Sequence, residues 1–298
     1  MPMRICVIFT PAARGEKARY FRDHLATLAA ECELKPTYSA GAGRALAAEA
    51  VRERFEIIVA AGGDGTVNEV LNGIGNEPDG FARTRFAVLP LGTVNVFAKE
   101  LNLPANFTHA WKVIKQAKES RIDIAEAEFT TDGQTQRRFF AQMAGAGLDT
   151  RAIEMVDWQH KKKIGPLAYV IAGIRALRGP LPQVVATDGV ISMAGELVLI
   201  GNGRYYGGRF PLFPEADARD GLLEVSVFPK ANWPAIFRTG WGLLTNQLYG
   251  SGGVRHFRAA SVCLFSPVTV PFNLAGEKAG VLPVRFSVRP HALRIIVP

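Results

Sequence analysis

The fold class of this chain is decided by residues 60–73, which read Ala60-Ala61-Gly62-Gly63-Asp64-Gly65-Thr66-Val67-Asn68-Glu69-Val70-Leu71-Asn72-Gly73. An apolar run leads into this stretch, and its second half has the spacing of a helix. A strand, a glycine-rich turn and a helix N-terminus, in that order, bind phosphate chains. Glycine allows a close backbone approach, and Asp64 offers an oxygen ligand that magnesium accepts. An ordinary glycine-rich turn is the alternative, but the density of the motif favours a phosphate site.

The stretch lies within an alternation of predicted strands and helices that covers the first 120 or so residues. Continuous apolar strands separated by helices indicate a parallel sheet covered on both faces, as in a doubly wound α/β domain. Ligands of such sheets bind beyond the carboxyl ends of the strands. The strands are predicted at 3–9, 34–38, 55–61 and 85–89, and the helices at 16–30, 44–54, 67–74, 94–101 and 107–118.

After about residue 120 the pattern changes to short alternating runs and tight turns. Asp132-Gly133 and Asp188-Gly189 each separate two such runs, which is typical of β-hairpins. Two helical segments, 153–177 and 234–248, interrupt this mainly antiparallel half. Together with the length of 298 residues, the change predicts two domains, over residues 1–122 and 123–298, with a final strand that could return to the first. Further strands are predicted at 197–201, 222–228, 261–265, 268–273 and 294–297.

The composition favours an anionic partner. The net charge is +8 and the sequence pI is about 9.6, which suits a nucleotide or an acidic membrane surface. The longest basic run is only Lys161-Lys162-Lys163, so we expect no nucleic-acid partner. Three cysteines without metal-ligand spacing indicate reduced thiols in the cytoplasm. No uncharged run reaches the ~18 residues needed to cross a bilayer, so any membrane contact is expected to be peripheral.

A second loop, Leu89-Pro90-Leu91-Gly92-Thr93-Val94-Asn95, again places Gly-Thr between a strand and a helix. On its own it could be no more than a capped helix start. On a strand next to the first loop, it could face that loop across a phosphate chain. The chain has no Gly-Lys-Ser/Thr phosphate loop, so a nucleotide would depend on these two turns.

Gly-Gly-Asp-Gly-Thr-x-Asn-Glu-Val-x-Asn-Gly, followed by Pro-Leu-Gly-Thr-x-Asn, resembles the diacylglycerol kinase catalytic domain family. That family includes bacterial lipid kinases, and the sphingosine kinases are related to it. The resemblance covers most of the chain and includes residues 10–15, 121–123, 201–203, 207–208, 214–221 and Gly276-Glu277. It implies a nucleotide-binding α/β domain, a β-sandwich-like second domain and an active site in the cleft between them.

The resemblance also implies ATP as the phosphate donor, Mg²⁺ as the cofactor and a lipid hydroxyl, of diacylglycerol or a related lipid alcohol, as the acceptor. Asp64 and Asp123 would organise the catalytic magnesium, and Glu277 would take the proton of the attacking hydroxyl. The residues expected to bind the nucleotide are Thr10, Arg14, Gly62, Gly63, Gly65, Thr66, Asn68, Glu69, Gly92, Thr93 and Asn95.

A structural magnesium site is implied near the cleft, formed by the Asp220 carboxylate and the main-chain carbonyls of Asp217 and Leu222. An ordinary turn before the next strand remains the alternative. Two departures from the family bear on the metal: Val96 and Ala275 stand where it usually has aspartate. Both losses should weaken metal binding or shift its ligands. Glu100, one helical turn beyond Val96, is either a substitute ligand or a solvated residue.

Lys162 and Lys163 could contact anionic lipid headgroups or phosphate, and the apolar stripe of the segment 234–248 could face lipid or its own sheet. We therefore expect a lipid kinase at the cytoplasmic membrane surface. A homodimer is kept as a hypothesis. Two other functions stay open: a soluble enzyme of the NAD-kinase type, and a nucleotide- or lipid-binding homologue with impaired catalysis.

Overall fold

The computed structural model describes residues 3–13, 15–155, 176, 179–208, 210–235, 238 and 253–298. The first part of the chain alternates short strands with helices, as the sequence predicts. Its elements are β1 (Ile5–Phe9), α1 (Glu16–Asp23), α2 (Leu25–Ala29), β2 (Glu33–Pro36), α3 (Ala42–Arg52), β3 (Ile57–Gly62), α4 (Asp64–Asn76), α5 (Gly80–Arg83), β4 (Arg85–Pro90), α6 (Val96–Glu100) and α7 (Phe107–Gln116).

Strands β2, β1, β3 and β4 form a parallel sheet in that order. Every residue of β1 and β3 is buried. Alternate side chains of each strand enter different cores: Cys6 and Ile58 pack with residues of α3 and α4, whereas Val7 and Val59 pack with residues of α1, α2 and α7. Helices therefore cover both faces, and this explains why the strands read as continuous apolar runs.

The remaining elements are mainly antiparallel strands. They are β5 (Glu119–Thr131), β6 (Gln134–Phe140), β7 (Met143–Gly147), α8 (Leu148–Glu154), β8 (Val184–Thr187), β9 (Ser192–Gly195), β10 (Leu197–Gly201), β11 (Tyr205–Tyr206), β12 (Phe210–Pro211), β13 (Leu223–Phe228), β14 (Arg255–Ala259), β15 (Ser261–Phe265), β16 (Pro271–Leu274), β17 (Glu277–Val281) and β18 (Val284–Ile296).

The parallel sheet continues into this second half through its longest strands. β18 joins β4 in parallel at Ile295 and Phe86, and pairs antiparallel with β5 and β15, so the large sheet runs β2-β1-β3-β4-β18-β15-β8-β9. A second sheet runs β14-β13-β10-β7-β16-β17. Apolar side chains of both sheets form one core between them. The fold class expected from the sequence, an α/β domain with a mainly antiparallel β-sandwich-like domain, is confirmed.

Several local predictions were wrong or incomplete. The helix predicted over 16–30 is interrupted at His24, whose Nδ1 lies 2.7 Å from the carbonyl oxygen of Tyr20 and whose ring stacks on the Tyr20 ring. Strands β7, β14 and β17 were not predicted. The helices predicted over 153–177 and 234–248 lie mostly outside the described residues. Within the described ranges, no helix has the length and apolar character required to span a membrane.

Candidate active site

The first glycine loop joins β3 to α4. Gly63 is the N-cap of α4 and, as a glycine, offers no side chain to cap the helix, and the amides of a helix's first turn can bind an anion. Gly62 has to be glycine, because a Cβ there would lie 2.3 Å from the Thr66 hydroxyl oxygen. Gly65 is exposed at the helix start. The predicted phosphate-binding loop therefore has the geometry of an anion site.

The second loop packs directly against the first. Leu91 and Gly92 donate their main-chain N–H groups to the carbonyl of Gly62, at 3.0 and 3.2 Å. A Cβ on Gly92 would lie 2.5 Å from the Cα of Gly63, so only glycine permits this approach. Thr93 is exposed at the tip of the loop. The two loops are thus neighbours at the carboxyl ends of β3 and β4.

Asn95 closes the second loop in a left-handed conformation, with φ of 51°. Its Nδ2 donates to the carbonyl of Gly92 at 2.6 Å. Its Oδ1 is buried and has no hydrogen-bond partner in the described part of the chain. A buried acceptor without a donor is unusual, so this amide oxygen is available to a donor or a cation that enters the loop.

Asp64 begins α4 and points at the start of α6. Its Oδ1 accepts the main-chain N–H of Phe97 at 3.3 Å. Burial raises the pKa of Asp64, while the main-chain amides of Phe97, Val96 and Asn95 oppose that rise. The carboxylate is thus partly desolvated, which a bound cation would compensate.

Glu277 reaches this site from the other half of the molecule. It begins β17 after the turn Ala275-Gly276, whose residues have φ of 51° and 80°. The N–H of Ala275 donates to the carbonyl of Met143 at 2.9 Å, which fixes the turn on β7. A Cβ on Gly65 would lie 3.5 Å from Oε1 of Glu277. The structure therefore brings Glu277 to the first turn of α4, and its catalytic role stays a prediction.

A cavity of about 390 Å³ lies beside the first loop, at the carboxyl end of β1. Thr10, Thr66 and Glu69, three of the predicted nucleotide residues, line it. The Thr10 hydroxyl is 3.0 Å from that of Thr37, and Tyr38 stands at the edge with 85% of its surface exposed. The cavity is open to solvent and continuous with the phosphate loop through Thr66.

Two predicted nucleotide residues have structural partners. Glu69 accepts the main-chain N–H groups of Gly41 and Gly43, both at 2.8 Å, and so caps the start of α3. Asn68 accepts two hydrogen bonds from Nδ2 of Asn72, through its carbonyl and its side-chain oxygen. A nucleotide-binding role for these two residues stays a prediction.

Asp123 lies on β5. Its side chain is buried, and its two oxygens accept the main-chain N–H groups of Gly221 and His291, each at 2.7 Å. No contact between Asp123 and Asp64 is found in the described ranges. The geometry is that of a residue that fastens the Gly221 loop and β18 to β5, and its part in magnesium chemistry stays a prediction.

The implied structural magnesium site is a hydrogen-bonded turn in this structure. The carbonyl of Asp217 accepts the N–H of Asp220 at 3.2 Å, and Oδ1 of Asp220 accepts the N–H of Leu222 at 2.9 Å. Oδ2 of Asp220 forms an ion pair with Arg258. No group of three or more His, Cys, Asp or Glu residues that could hold a metal occurs among the residues described. A magnesium ion here would have to compete with Arg258.

Glu100 is mostly buried and not solvated. Within the described ranges, no hydrogen bond or ion pair joins it to the Asp64 carboxylate. It accepts the N–H and Nε of Arg204, at 2.8 and 2.9 Å, and its side chain is only 7% exposed. The pair ties α6 to the second half of the molecule. Arg14, Lys162 and Lys163 lie outside the described residues.

No sequence pattern indicated Asp149, a partly accessible carboxylate in α8. It accepts the hydroxyl of Tyr206 at 2.9 Å and Nδ2 of Asn273 at 2.8 Å, and burial raises the pKa of Asp149. Its partners are 57 and 124 residues away, so no spacing pattern could have found it.

Comparison with known proteins relates the chain to one family. The model of the diacylglycerol kinase catalytic domain matches residues 4–127, and that of the YegS C-terminal NAD kinase beta sandwich-like domain matches residues 142–297. A diacylglycerol kinase of Staphylococcus carnosus is 30% identical over 88% of this chain and 83% of its own length. One from Staphylococcus aureus (strain bovine RF122) is 28% identical over 100% of this chain and 93% of its own length.

Solved structures show the same fold. A putative diacylglycerol kinase from Bacillus anthracis superposes with a TM-score of 0.80 at 24% identity, over 99% of this chain and 95% of that one. The yeast NADH kinase complexed with NADH superposes with a TM-score of 0.59 at 11% identity, over 100% of this chain and 84% of that one. At these identities the likeness concerns the fold alone.

Proposed function

The chain belongs to the diacylglycerol kinase catalytic domain family, and from this premise we propose that it transfers the γ-phosphate of ATP to a lipid hydroxyl at a membrane surface. The observation that carries the proposal is the convergence of Glu277 on the first turn of α4, beside two glycine loops. A base next to a phosphate cradle is the arrangement that phosphoryl transfer to a hydroxyl requires.

The phosphates of ATP would be bound by main-chain amides. The first turn of α4, which begins after the glycine N-cap Gly63, would offer its main-chain N–H groups and the positive end of the helix dipole. Gly92 and Thr93 would contact the chain of phosphates from the other side, and the cavity lined by Thr10 and Thr66 would take the rest of the nucleotide. Asn68 and Glu69 would then act by holding α4 and α3 in place.

The candidate site offers magnesium one carboxylate ligand, that of Asp64. Among the described residues, only main-chain amides donate to the Asp64 carboxylate, so it has oxygen lone pairs to spare. Mg²⁺ is commonly bound by one or two carboxylates together with the phosphates and water. When bound, it would neutralise phosphate charge, and Asp64 is where the protein would hold it.

The transfer itself needs one proton acceptor. The oxygen of the lipid hydroxyl forms a bond to the γ-phosphorus while the bond from that phosphorus to its bridging oxygen breaks, and ADP leaves with the electron pair. The hydroxyl proton passes to the carboxylate of Glu277 and then to solvent. The protein contributes position and charge neutralisation, and no covalent intermediate is needed.

A peripheral position on the cytoplasmic face of a membrane suits the acceptor. The net charge of +8 attracts anionic headgroups. The cysteines of the chain are free thiols, and burial raises the pKa of Cys6 to about 12, so it is an unreactive core residue. The free thiols support a reducing compartment, where ATP is present, and the positive charge supports contact with an anionic lipid surface.

The test is a kinase assay with the purified chain, labelled ATP, Mg²⁺ and mixed micelles that contain diacylglycerol, a sphingoid base or another lipid alcohol. We expect lipid-dependent phosphate transfer to at least one acceptor. Asp64→Ala should abolish it, and Asp23→Ala, at an exposed residue of α1, should not. Phosphorylation of NAD without lipid would replace the proposal by the NAD-kinase alternative.

Loss of catalysis is the second candidate, because Val96 and Ala275 remove two carboxylates expected of the family. In that case Mg-ATP would bind without turnover on any lipid, and a double variant with aspartate at both positions would not recover it. Turnover by the unaltered chain rules this candidate out.

A further inference from the structure

The turn 217–222, which precedes β13, is where the family resemblance implies a structural magnesium ion. Two of the three implied ligands already have partners inside the turn. The carbonyl of Asp217 accepts the N–H of Asp220 at 3.2 Å, and Oδ1 of Asp220 accepts the N–H of Leu222 at 2.9 Å. Oδ2 of Asp220 is therefore the carboxylate oxygen that remains for a cation from outside the turn.

The cation that meets this oxygen is Arg258 of β14. One terminal nitrogen of Arg258 forms an ion pair with Oδ2 of Asp220. Its Nε lies 2.9 Å from Oε1 of Glu224, the residue opposite Arg258 in the pairing of β13 with β14. A single guanidinium group thus joins a carboxylate of the turn to a carboxylate of the strand that follows it.

The carboxylate of Glu224 has a particular need of this charge. Its side chain is only 2% exposed, and a buried carboxylate is costly unless it is paired. Oε2 lies 2.5 Å from Nε2 of His256. Oε1 makes no hydrogen bond within the described ranges, so the ion pair with Arg258 is what compensates it there. In the same ranges, no group of three or more metal-ligating side chains is found at this turn.

The turn also holds the carboxylate of Asp123. The N–H of Gly221 donates to Oδ2 of Asp123 at 2.7 Å, and the N–H of Asp123 donates to the carbonyl of Ala218, also at 2.7 Å. Asp123 therefore keeps its position only while the turn keeps its shape. A charge that holds Asp220 against β13 and β14 acts on Asp123 through these two hydrogen bonds.

We propose that the guanidinium group of Arg258 takes the place of a divalent cation in this chain and fastens the turn 217–222 without a metal ion. Its fork of donors faces the carboxylates of Asp220 and Glu224 together. Because an arginine stays charged and cannot dissociate from the chain, the shape of the turn is independent of the magnesium concentration. This role of Arg258 holds whether or not the chain is a lipid kinase.

The first test is thermal unfolding of the full chain without nucleotide, in EDTA and in millimolar Mg²⁺ or Ca²⁺. Every protein carries Asp64→Ala, so that a cation bound by Asp64 does not contribute, and this variant is the parent. The readout is the part of a cation-induced change in Tm that Asp220→Asn removes. We expect that part to be zero in the parent. A rise in Tm that Asp220→Asn removes would mean that the turn binds a metal ion, and it would overturn the proposal.

The second test removes the arginine. Arg258→Gln leaves a buried carboxylate uncompensated and should lower the Tm by about 3 °C or more. Mg²⁺ or Ca²⁺ should restore part of this loss, because the carboxylates of Asp220 and Glu224 are then open to a cation. Arg258→Lys should restore part of it in EDTA. Arg255→Gln, at an exposed residue of the same strand, is the matched control and should unfold as the parent does. An Arg258→Gln protein with the Tm of the parent, or one that neither cation stabilises, contradicts the proposal.

Hydrogen exchange measured by mass spectrometry locates the effect. The amides of Asp220, Gly221 and Leu222 are hydrogen-bonded, so peptides over 217–224 should exchange equally in EDTA and in Mg²⁺ in the parent. In Arg258→Gln they should exchange faster in EDTA, and Mg²⁺ should slow them. Faster exchange spread evenly over the whole chain would show that Arg258 stabilises the protein in general and does not act on the turn.

Discussion

Two opposing effects act on the side chain of Asp64. Its carboxylate accepts a main-chain hydrogen bond from α6, yet burial raises its pKa. The fold therefore keeps a partly desolvated acid at the point where the two glycine loops meet. A cation bound at this point would offset the cost of that desolvation.

The first prediction concerns this carboxylate. Asp64→Ala should reduce turnover by about two orders of magnitude or more, because charge arranged at a transferring phosphate is lost, and should leave the fold intact. Steady-state kinetics on the acceptor found in the lipid panel, together with circular dichroism, measure both effects. Asp23→Ala serves as the control at an exposed site. A fully active, folded Asp64→Ala protein would remove Asp64 from the mechanism.

A second prediction contrasts two carboxylates by pH. Burial raises the pKa of Asp149 above its ordinary value of 3.8, so ionisation in the fold reduces stability as the pH rises through that window. Asp149→Asn should therefore be more stable than the wild type at neutral pH, and the difference should disappear near pH 3.8 and below. Urea unfolding at a series of pH values measures it.

For Asp188 the pKa shift, and with it the pH dependence of stability, has the opposite sign. The main-chain N–H groups of Ile191 and Val190, at 2.7 and 2.8 Å, lower the pKa of Asp188. Its ionised form therefore stabilises the β8–β9 turn above pH 3.8, and this contribution is lost as the pH falls through the lowered pKa. Asp188→Ala should be less stable than the wild type at neutral pH and equal to it in strong acid. Equal pH profiles for the two variants would contradict both assignments.

At the scale of elements, the strands and helices that could be predicted are those whose own residues carry a recognisable pattern. β3, β4 and the β5–β6 hairpin carry their own apolar runs or an Asp-Gly turn, and they lie where the sequence placed them. β7 reads Met-Ala-Gly-Ala-Gly and has no strand pattern of its own. It is a strand because β10 and β16 pair with it on both sides, which only the folded sheet provides.

The candidate site divides in the same way. The glycine loops and Glu277 belong to recognisable motifs, and the family resemblance that they indicated is confirmed. No sequence pattern could have predicted that Gly221 and His291 are the hydrogen-bond partners of Asp123.

The third prediction tests how β6 is attached to α4. Asn72 makes two hydrogen bonds with the main chain of Phe139, so Asn72→Ala leaves a buried N–H and a buried carbonyl without partners. We expect a loss of about 2–5 kcal/mol in the free energy of unfolding, measured by urea denaturation. Asn76→Ala, at the exposed end of the same helix, should change it by less than about 0.5 kcal/mol. Equal effects would mean that Asn72 does not carry the attachment.

At the scale of the whole molecule, the large sheet contains strands from both sides of the domain boundary predicted at residue 122. The core above β3 and β4 includes Phe139, Leu293 and Ile295, which come from the second half of the chain. β18 pairs with β4 on one side and with β5 on the other. The candidate active site also draws on both halves of the chain, since Glu277 of β17 lies close to Gly65 of α4.

The last prediction follows from this sharing. A fragment of residues 1–122 would expose the edge of β4 and lose five buried apolar side chains of its core, those of Ile124, Phe139, Ala141, Leu293 and Ile295. It should therefore not fold alone, and exposed strand edges promote aggregation. The full chain should unfold in one calorimetric transition, because β18 belongs to both halves. Expression of the fragment with residues 284–298 joined to it through a flexible linker is the control, since it restores the partner strand of β4 and should recover part of the soluble protein. A soluble fragment 1–122 that binds ATP as tightly as the full chain would show that the α/β half is an independent domain and that the shared strand contributes little to its stability.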